Sequence, residues 1–195
     1  MRAIKIITII LFISTLMACQ NATLVSETKV LATPEKIENL VLYLEPNLFY
    51  QLRTGRYLDS IKSALEKKFQ KNGFETQIVE ISDSVIDEGQ LNAAIKRLKP
   101  THIFRMKTIS AMTVNGDPQN ITWQIEVHQR DAKPDAKTFE AAVMNQKQIA
   151  DSYKSIYKFN IQSEICTGLR ALRASTCADE FASTIEAALI KNSIK

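Results

Sequence analysis

Residues 101–130, THIFRMKTISAMTVNGDPQNITWQIEVHQR, decide the fold of this chain. The first half is rich in branched and aromatic residues, and Asn115-Gly116-Asp117-Pro118 is a strong turn signal. The second half alternates apolar and polar residues, which is typical of a strand with one buried and one solvent-exposed face. Its buried set is Ile121, Trp123, Ile125 and Val127, and its polar set is Thr122, Gln124, Glu126, His128 and Arg130.

Upstream of this stretch, strand and helix patterns alternate. Residues 40–45 form a short apolar run stopped by Pro46 and predict a buried strand. Residues 57–69 carry apolar side chains at helical spacing, and Asn72-Gly73 closes that helix. A second strand around residues 78–81 and a short helix over residues 91–98 follow, the latter ending before a proline.

Downstream, residues 134–143 predict a further strand, and residues 181–189 predict a final helix. Residues 148–165 contain several aromatic residues, but their spacing fits neither a strand nor a helix. The element order is therefore β-α-β-α-β-β-β-α. This order predicts an α/β (α+β) two-layer sandwich, a mixed sheet with helices packed mainly on one face.

The N-terminus has the layout of a secretory signal. Arg2 and Lys5 precede an apolar run that ends at Ala18, which is too short for a permanent membrane span. The motif Leu16-Met17-Ala18-Cys19 resembles the lipobox of bacterial lipoproteins. That resemblance implies cleavage before Cys19 and a lipid anchor on it; Gln20, rather than Asp, then favours the outer membrane. The alternative is an ordinary signal peptide with a chance cysteine.

These features predict a signal peptide over residues 1–18, a flexible tether over residues 19–37 and a single periplasmic α/β domain over residues 38–195. Cleavage removes two of the 25 basic residues and leaves a small positive net charge against 21 acidic ones. This charge does not suggest nucleic-acid binding, which needs clustered basic residues or a known motif.

Two cysteines remain in the mature chain. Cys166 and Cys177 form an even pair in an oxidising compartment, where a disulfide is expected. One continuous helix would separate them by about 16 Å, whereas bridged Cα atoms lie within about 7 Å of each other. A bridge therefore requires a turn between them, and two unpaired buried cysteines are the alternative.

The element order over residues 38–192 is similar to the periplasmic lipoprotein domains of the TolB N-terminal, CsgG and penicillin-binding-protein-activator group, and more loosely to LptE. The segment Lys99-Pro100-Thr101-His102-Ile103-Phe104, which leads into the third strand, adds to this likeness. The resemblance implies a periplasmic α/β domain. It assigns no functional residue.

Few residues could carry chemistry. His102 and His128 are the two histidines, and Glu126 lies two positions from His128 on the same strand face. Two ligands are too few for a closed metal site, so we expect no metal and no cofactor. Because nucleophile elbows, phosphate loops and zinc-ligand spacings are absent from the sequence, we also expect no enzymatic activity. A hydrolase using either histidine is the enzymatic alternative.

Two surfaces are candidates for binding. One is the polar strand face from Thr122 to Arg130; the other is Arg170 and Arg173, which could meet anionic lipid or an acidic partner. The leading hypothesis is a lipid-anchored, non-enzymatic accessory or docking subunit of an envelope assembly, secretion or cell-wall complex, with a protein partner in the envelope. The alternative is a lipid or small-molecule carrier, with a pocket lined by residues such as Phe104, Met106 and Trp123.

Overall fold

The computed structural model describes residues 22–29, 36–45, 48–80, 85–115, 117–130, 153–165 and 174–192. In chain order, their elements are β1 (Ala22–Lys29), β2 (Asn39–Glu45), α1 (Leu48–Lys71), β3 (Glu75–Glu80), α2 (Val85–Leu98), β4 (His102–Val114), β5 (Asp117–Arg130), β6 (Tyr153–Glu164) and α3 (Ala174–Lys191). None of these helices is both long and apolar enough to cross a bilayer.

The six strands form one mixed sheet in the order β1-β6-β5-β4-β2-β3. The three strands β3, β2 and β4 are parallel to one another. The remaining pairs, from β4 through β5 and β6 to β1, are antiparallel. The α/β fold with a mixed sheet, predicted from the alternation of elements, is confirmed.

The main core lies between one face of the sheet and the helices α1 and α3. We call this the apolar face of the sheet. The side chains of β5 that the alternation predicted to be inside do lie there, and so do the predicted apolar positions of α1 and α3. They pack closely: the ring of Trp123 lies 6.0 Å from that of Phe181, and the ring of Phe104 meets that of Phe69 edge-on at 5.8 Å.

Helix α1 ends where the sequence predicted. Gly73 has a φ of 81°, a left-handed conformation that glycine adopts without steric cost. The backbone N–H of Phe74 donates to the carbonyl of Phe69 at 3.0 Å, and the two rings pack against each other. This is the arrangement of a Schellman cap, which turns the chain into β3.

Helix α2 packs on the opposite face of the sheet. Its apolar residues contact Val41 and Ile103, whereas the adjacent Leu42 and Phe104 belong to the core under α1 and α3. The connections explain this placement. The chain moves from β2 outward to β3 and then back past β2 to β4, and because such connections are right-handed, reversing direction places their helices on opposite faces. The prediction of two layers is therefore corrected at β2 and β3, where α2 forms a third layer.

The third strand of the antiparallel part, β6, lies where the sequence predicted no regular element. The predicted strand over residues 134–143 lies outside the described residues, whereas β6 covers residues that fitted neither template. The reason is a β-bulge. Val127 pairs with Tyr157 and His128 with Ser155, so Ile156 is an extra residue and the alternation changes phase there.

Part of the predicted tether belongs to the sheet. Residues 22–29 form β1, which pairs antiparallel with β6 and is an edge strand. A tether was predicted because the segment is polar and its apolar residues show no regular spacing. The spacing is irregular because Val25 is an extra residue in a second bulge. The prediction of a flexible tether over residues 19–37 is therefore wrong for β1.

The burial of Ala22 provides a test of this correction. Ala22 is only 1% exposed and lies in the main core, whereas the neighbouring Thr23 is exposed. Ala22→Asp would bury a carboxylate without a partner, and we expect it to lower the free energy of unfolding by about 3 kcal/mol or more. Thr23→Asp, the matched control, should change it by less than about 0.5 kcal/mol. Urea denaturation of both variants measures the difference, and equal stabilities would show that this segment does not join the sheet.

Candidate functional site: the polar face of the sheet

The five residues predicted to form a binding face lie together on the side of β5 that points away from α1 and α3. We call this side of β4, β5, β6 and β1 the polar face. Because β5 pairs along its length with both neighbours, polar residues of β4 and β6 lie beside those of β5. In rows across the sheet, Lys107, Gln124 and Asn160 are neighbours, as are Arg105, Glu126 and Lys158.

Glu126 is at the centre of a network of charges on the polar face. Its carboxylate lies 3.3 Å from Nζ of Lys158, 3.7 Å from Nη1 of Arg105 and 3.6 Å from Nε2 of His128. The Glu126 side chain is only 14% exposed. The surrounding basic groups therefore compensate a carboxylate that has lost most of its water.

Arg105 connects this network to β2. Its Nε and Nη2 donate to the two carboxylate oxygens of Glu45 at 3.1 and 2.8 Å, a bidentate arrangement, and its guanidinium lies 6.0 Å from the centre of the Tyr43 ring. Sequence reasoning missed Arg105 and Glu45. The signal was present, because Arg105 stands between the buried residues Phe104 and Met106 and must face the other way.

The network changes the pKa values of its members. Burial alone would raise the pKa of Glu126, but the hydrogen bond from Lys158 and the charges of Lys107 and Arg105 lower it overall. Burial lowers the pKa of His128, an effect that the Glu126 carboxylate opposes and the charge of Arg105 reinforces. Both shifts favour an ionised Glu126 beside a neutral His128 at neutral pH.

The polar face is not uniformly open. Gln124 and Glu126 are largely buried, so the middle of β5 is less accessible than the alternation predicts. The open part of the polar face lies toward the β1 edge of the sheet, on β1 and β6. We call it the β1–β6 surface; its exposed or half-exposed side chains are Thr23, Ser26, Thr28, Lys158 and Gln162.

The two residues considered as a metal pair, Glu126 and His128, are in contact in the structure, with an ionised carboxylate beside a neutral imidazole. Glu126 and His128 are within 3.6 Å of each other, and Arg105 and Lys158 occupy the remaining sides of the carboxylate. Within the described ranges, no group of three or more His, Cys, Asp or Glu side chains is placed to hold a metal ion.

The cysteines are only partly described. Cys19 and Cys166 lie outside the described residues, as do Arg170 and Arg173. Cys177 is buried in the first half of α3 and is disulfide-bonded. Pairing of Cys177 with Cys166 and lipid attachment at Cys19 stay predictions.

His102 lies apart from the polar face, in the core at the start of β4. Its side chain is 0% exposed, and its Nδ1 lies 3.0 Å from Oγ1 of Thr101. Burial lowers the pKa of His102 to about 4, and a hydrogen bond with Gln129 opposes the shift. The imidazole is therefore a neutral core residue at neutral pH, out of contact with solvent.

Comparisons with known proteins give distant structural likenesses. No family model matches the chain, and no curated protein matches it. Among solved structures, a PelC dodecamer from Paraburkholderia phytofirmans is similar with a TM-score of 0.41 and 11% identity over 84% of this chain and 96% of the other. A point variant of that PelC gives a TM-score of 0.43 and 12% identity over the same shares. These scores are too low to assign a function.

The buried imidazole of His102 predicts a dependence of stability on pH. The unfolded chain binds a proton at His102 below about pH 6.5, whereas the folded protein does so only below about pH 4. Between these values the unfolded state holds more protons, so stability falls as the pH is lowered, by about 3 kcal/mol in total.

His102→Gln should remove most of this dependence, while His128→Gln should leave it in place because the His102 imidazole remains buried. Urea denaturation at pH 7 and pH 5 measures it for the three proteins. If the native protein and His102→Gln lose the same stability between these two pH values, the imidazole is not the cause.

Proposed function

We propose that this protein is a lipid-anchored periplasmic protein of the outer membrane that acts as a non-enzymatic docking subunit of an envelope assembly, secretion or cell-wall complex. Lipid on Cys19 holds it at the membrane, and an envelope protein is its partner. The proposal rests on the lipobox Leu16-Met17-Ala18-Cys19 and on where the folded domain begins relative to it.

The observation that carries the proposal is the position of β1. This strand begins at Ala22, three residues after Cys19, and is paired with β6. Three residues span at most about 10 Å. A lipid on Cys19 would therefore keep the sheet next to the bilayer instead of on a long tether. Confinement of this kind raises the effective concentration of a partner in the same membrane, so weak contacts suffice for docking.

The β1–β6 surface is the best candidate for the docking contact. It is polar and open, and it belongs to the strand nearest the anchor. Docking by addition of a strand to the edge of β1 is less favoured, because the bulge at Val25 interrupts the regular pattern of edge groups that such pairing needs.

The carrier alternative has less support. Phe104, Met106 and Trp123, which were expected to line a pocket, are at most 3% exposed and belong to the main core. Nε1 of Trp123 donates to Oγ of Ser163 at 3.2 Å, so its polar atom is satisfied within the protein. A ligand between sheet and helices would have to displace this packing, which costs free energy.

The hydrolase alternative also has less support. His102 does not reach the solvent, so it could act on a substrate only after the core opened. His128 contacts Glu126, whose carboxylate also lies within 3.7 Å of Arg105 and 3.3 Å of Lys158, so its surroundings are those of a charge network on the sheet. The contacts of His102 and His128 are therefore those of residues that support the fold, and they give the hydrolase alternative less support than the docking role.

The anchor is tested by Cys19→Ser. We expect the native protein to fractionate with membranes and to incorporate radioactive palmitate, and the variant to do neither because it lacks the thiol that is acylated. Cys177→Ser, as control, should keep both properties. Unchanged membrane fractionation of Cys19→Ser would remove the basis of the proposal.

The docking surface is tested by site-specific photocrosslinking in intact cells. A photoreactive residue at Gln162 or Thr28, on the β1–β6 surface, should give a discrete crosslinked envelope protein after irradiation. The same residue at Glu66, an exposed position of α1, is the matched control and should give none of this product. Equal products from all three positions, or no product from the two test positions, would contradict docking through this surface.

A further inference from the structure

Large apolar side chains are exposed at few of the described positions, and most of these lie in one hairpin. Ile109, Met112 and Val114, in the second half of β4, are 45%, 55% and 51% exposed. The other two are Val25 on β1 and Ile190 near the end of α3. We call Met112 and Val114, the two of these residues nearest the turn, the hairpin tip.

The pairing register shows which end of the sheet the hairpin tip occupies. Ala22 pairs with Ser163, Ser163 with Ile121, and Ile121 with Ala111. These four residues form one row across β1, β6, β5 and β4. The row contains the first residue of β1, so it marks the end of the sheet from which the chain leads back toward Cys19.

The hairpin extends beyond this row toward the same side. Met112 and Val114 follow Ala111 on β4, so Val114 lies about 10 Å beyond the row at about 3.3 Å per residue. Cys19 lies three residues before Ala22, within a reach of about 10 Å. The hairpin and β1 are three strand spacings apart, about 14 Å. A flat surface that holds Cys19 can therefore also touch the hairpin tip.

The composition of the hairpin suits a lipid surface. From Thr108 to Gly116 the sequence TISAMTVNG contains no charged residue. Met112 and Ser110 lie opposite the small, uncharged Asn120 and Thr122, and the one charged residue between Thr108 and Thr122 is Asp117, opposite Val114 at the turn. Ile109 is the extra residue of a bulge. Exposed apolar side chains favour a bilayer interface because binding there strengthens with the apolar area that is buried.

We propose that the hairpin tip is a second membrane contact, which inserts into the lipid surface that holds the acyl chains of Cys19. This inference rests on the lipid anchor of the proposed function. With two contacts about 14 Å apart, the protein cannot rotate freely about its anchor. The rows of the sheet then run along the bilayer surface, and the β1–β6 surface can turn only about the line that joins the two contacts.

The experiment uses the full-length lipidated protein in vesicles of phosphatidylethanolamine and phosphatidylglycerol, with and without brominated acyl chains. Tryptophan is placed at the hairpin by Met112→Trp or, separately, by Val114→Trp. The emission of the parent, whose Trp123 is buried, is subtracted. Ile190→Trp is the matched control, because Ile190 is equally apolar and 45% exposed. It lies near the end of α3, next to Lys191, which binds Glu27 in the half of β1 farther from Cys19.

We expect the tryptophans at positions 112 and 114 to emit at shorter wavelength in vesicles and to lose most of their intensity with brominated lipid. The tryptophan at position 190 should show neither change. Thermal unfolding of each variant confirms that it is folded.

Each of the following results would overturn the proposal. If the variants float with the vesicles but the hairpin tryptophans emit as in water and are not quenched, the anchor is right and the lipid contact is wrong. If their emission moves to shorter wavelength without quenching by brominated lipid, a protein and not lipid covers the hairpin tip. If tryptophan at position 190 is quenched as strongly as the hairpin tryptophans, the orientation is wrong. Failure of the native protein to float removes the anchor itself, and the hairpin contact with it.

Discussion

The arrangement of this domain depends on β5, which is hydrogen-bonded to β4 on one side and β6 on the other. Because both neighbours fix its register, its alternating side chains cannot slip between faces. The apolar residues of β5 therefore pack against the helices α1 and α3, and the intervening polar residues lie on the opposite face. The apolar residues are Ile121, Trp123, Ile125 and Val127. A shift of one residue would bury Glu126 in the apolar core and expose Trp123.

The polar face is stable for a related reason. A carboxylate as shielded as that of Glu126 would be costly without partners, and β4, β5 and β6 each supply one from an adjacent position. Within the charge network, Arg105 also makes a bidentate contact with Glu45. This contact joins β4 to β2, and so connects the antiparallel part of the sheet to the parallel part. The network thus stabilises the sheet, and the open β1–β6 surface is the part that we propose for docking.

The sequence predicted the elements whose periodicity is unbroken. The helices around Ile61, Ile95 and Ile185 and the strand through Trp123 were recognised because their buried residues recur at one spacing. Strands β1 and β6 were missed because Val25 and Ile156 are bulge residues that change the phase of the alternation. The face occupied by α2 depends on strand order, which no local pattern contains. Arg105 was within reach of sequence reasoning, since its place on the polar face follows from parity alone.

The pairing of β1 with β6 also bears on how the chain acquires its shape. Ala22 and Ser163 are about 140 positions apart, so this ladder is among the most non-local contacts in the protein. The ribosome makes β1 well before β6. Until β6 appears, β1 has no neighbour and the cluster around Tyr157 cannot close. The strand beside the proposed anchor therefore cannot pair until residues 153–164 have been made, and an unpaired strand is prone to misassociation until then.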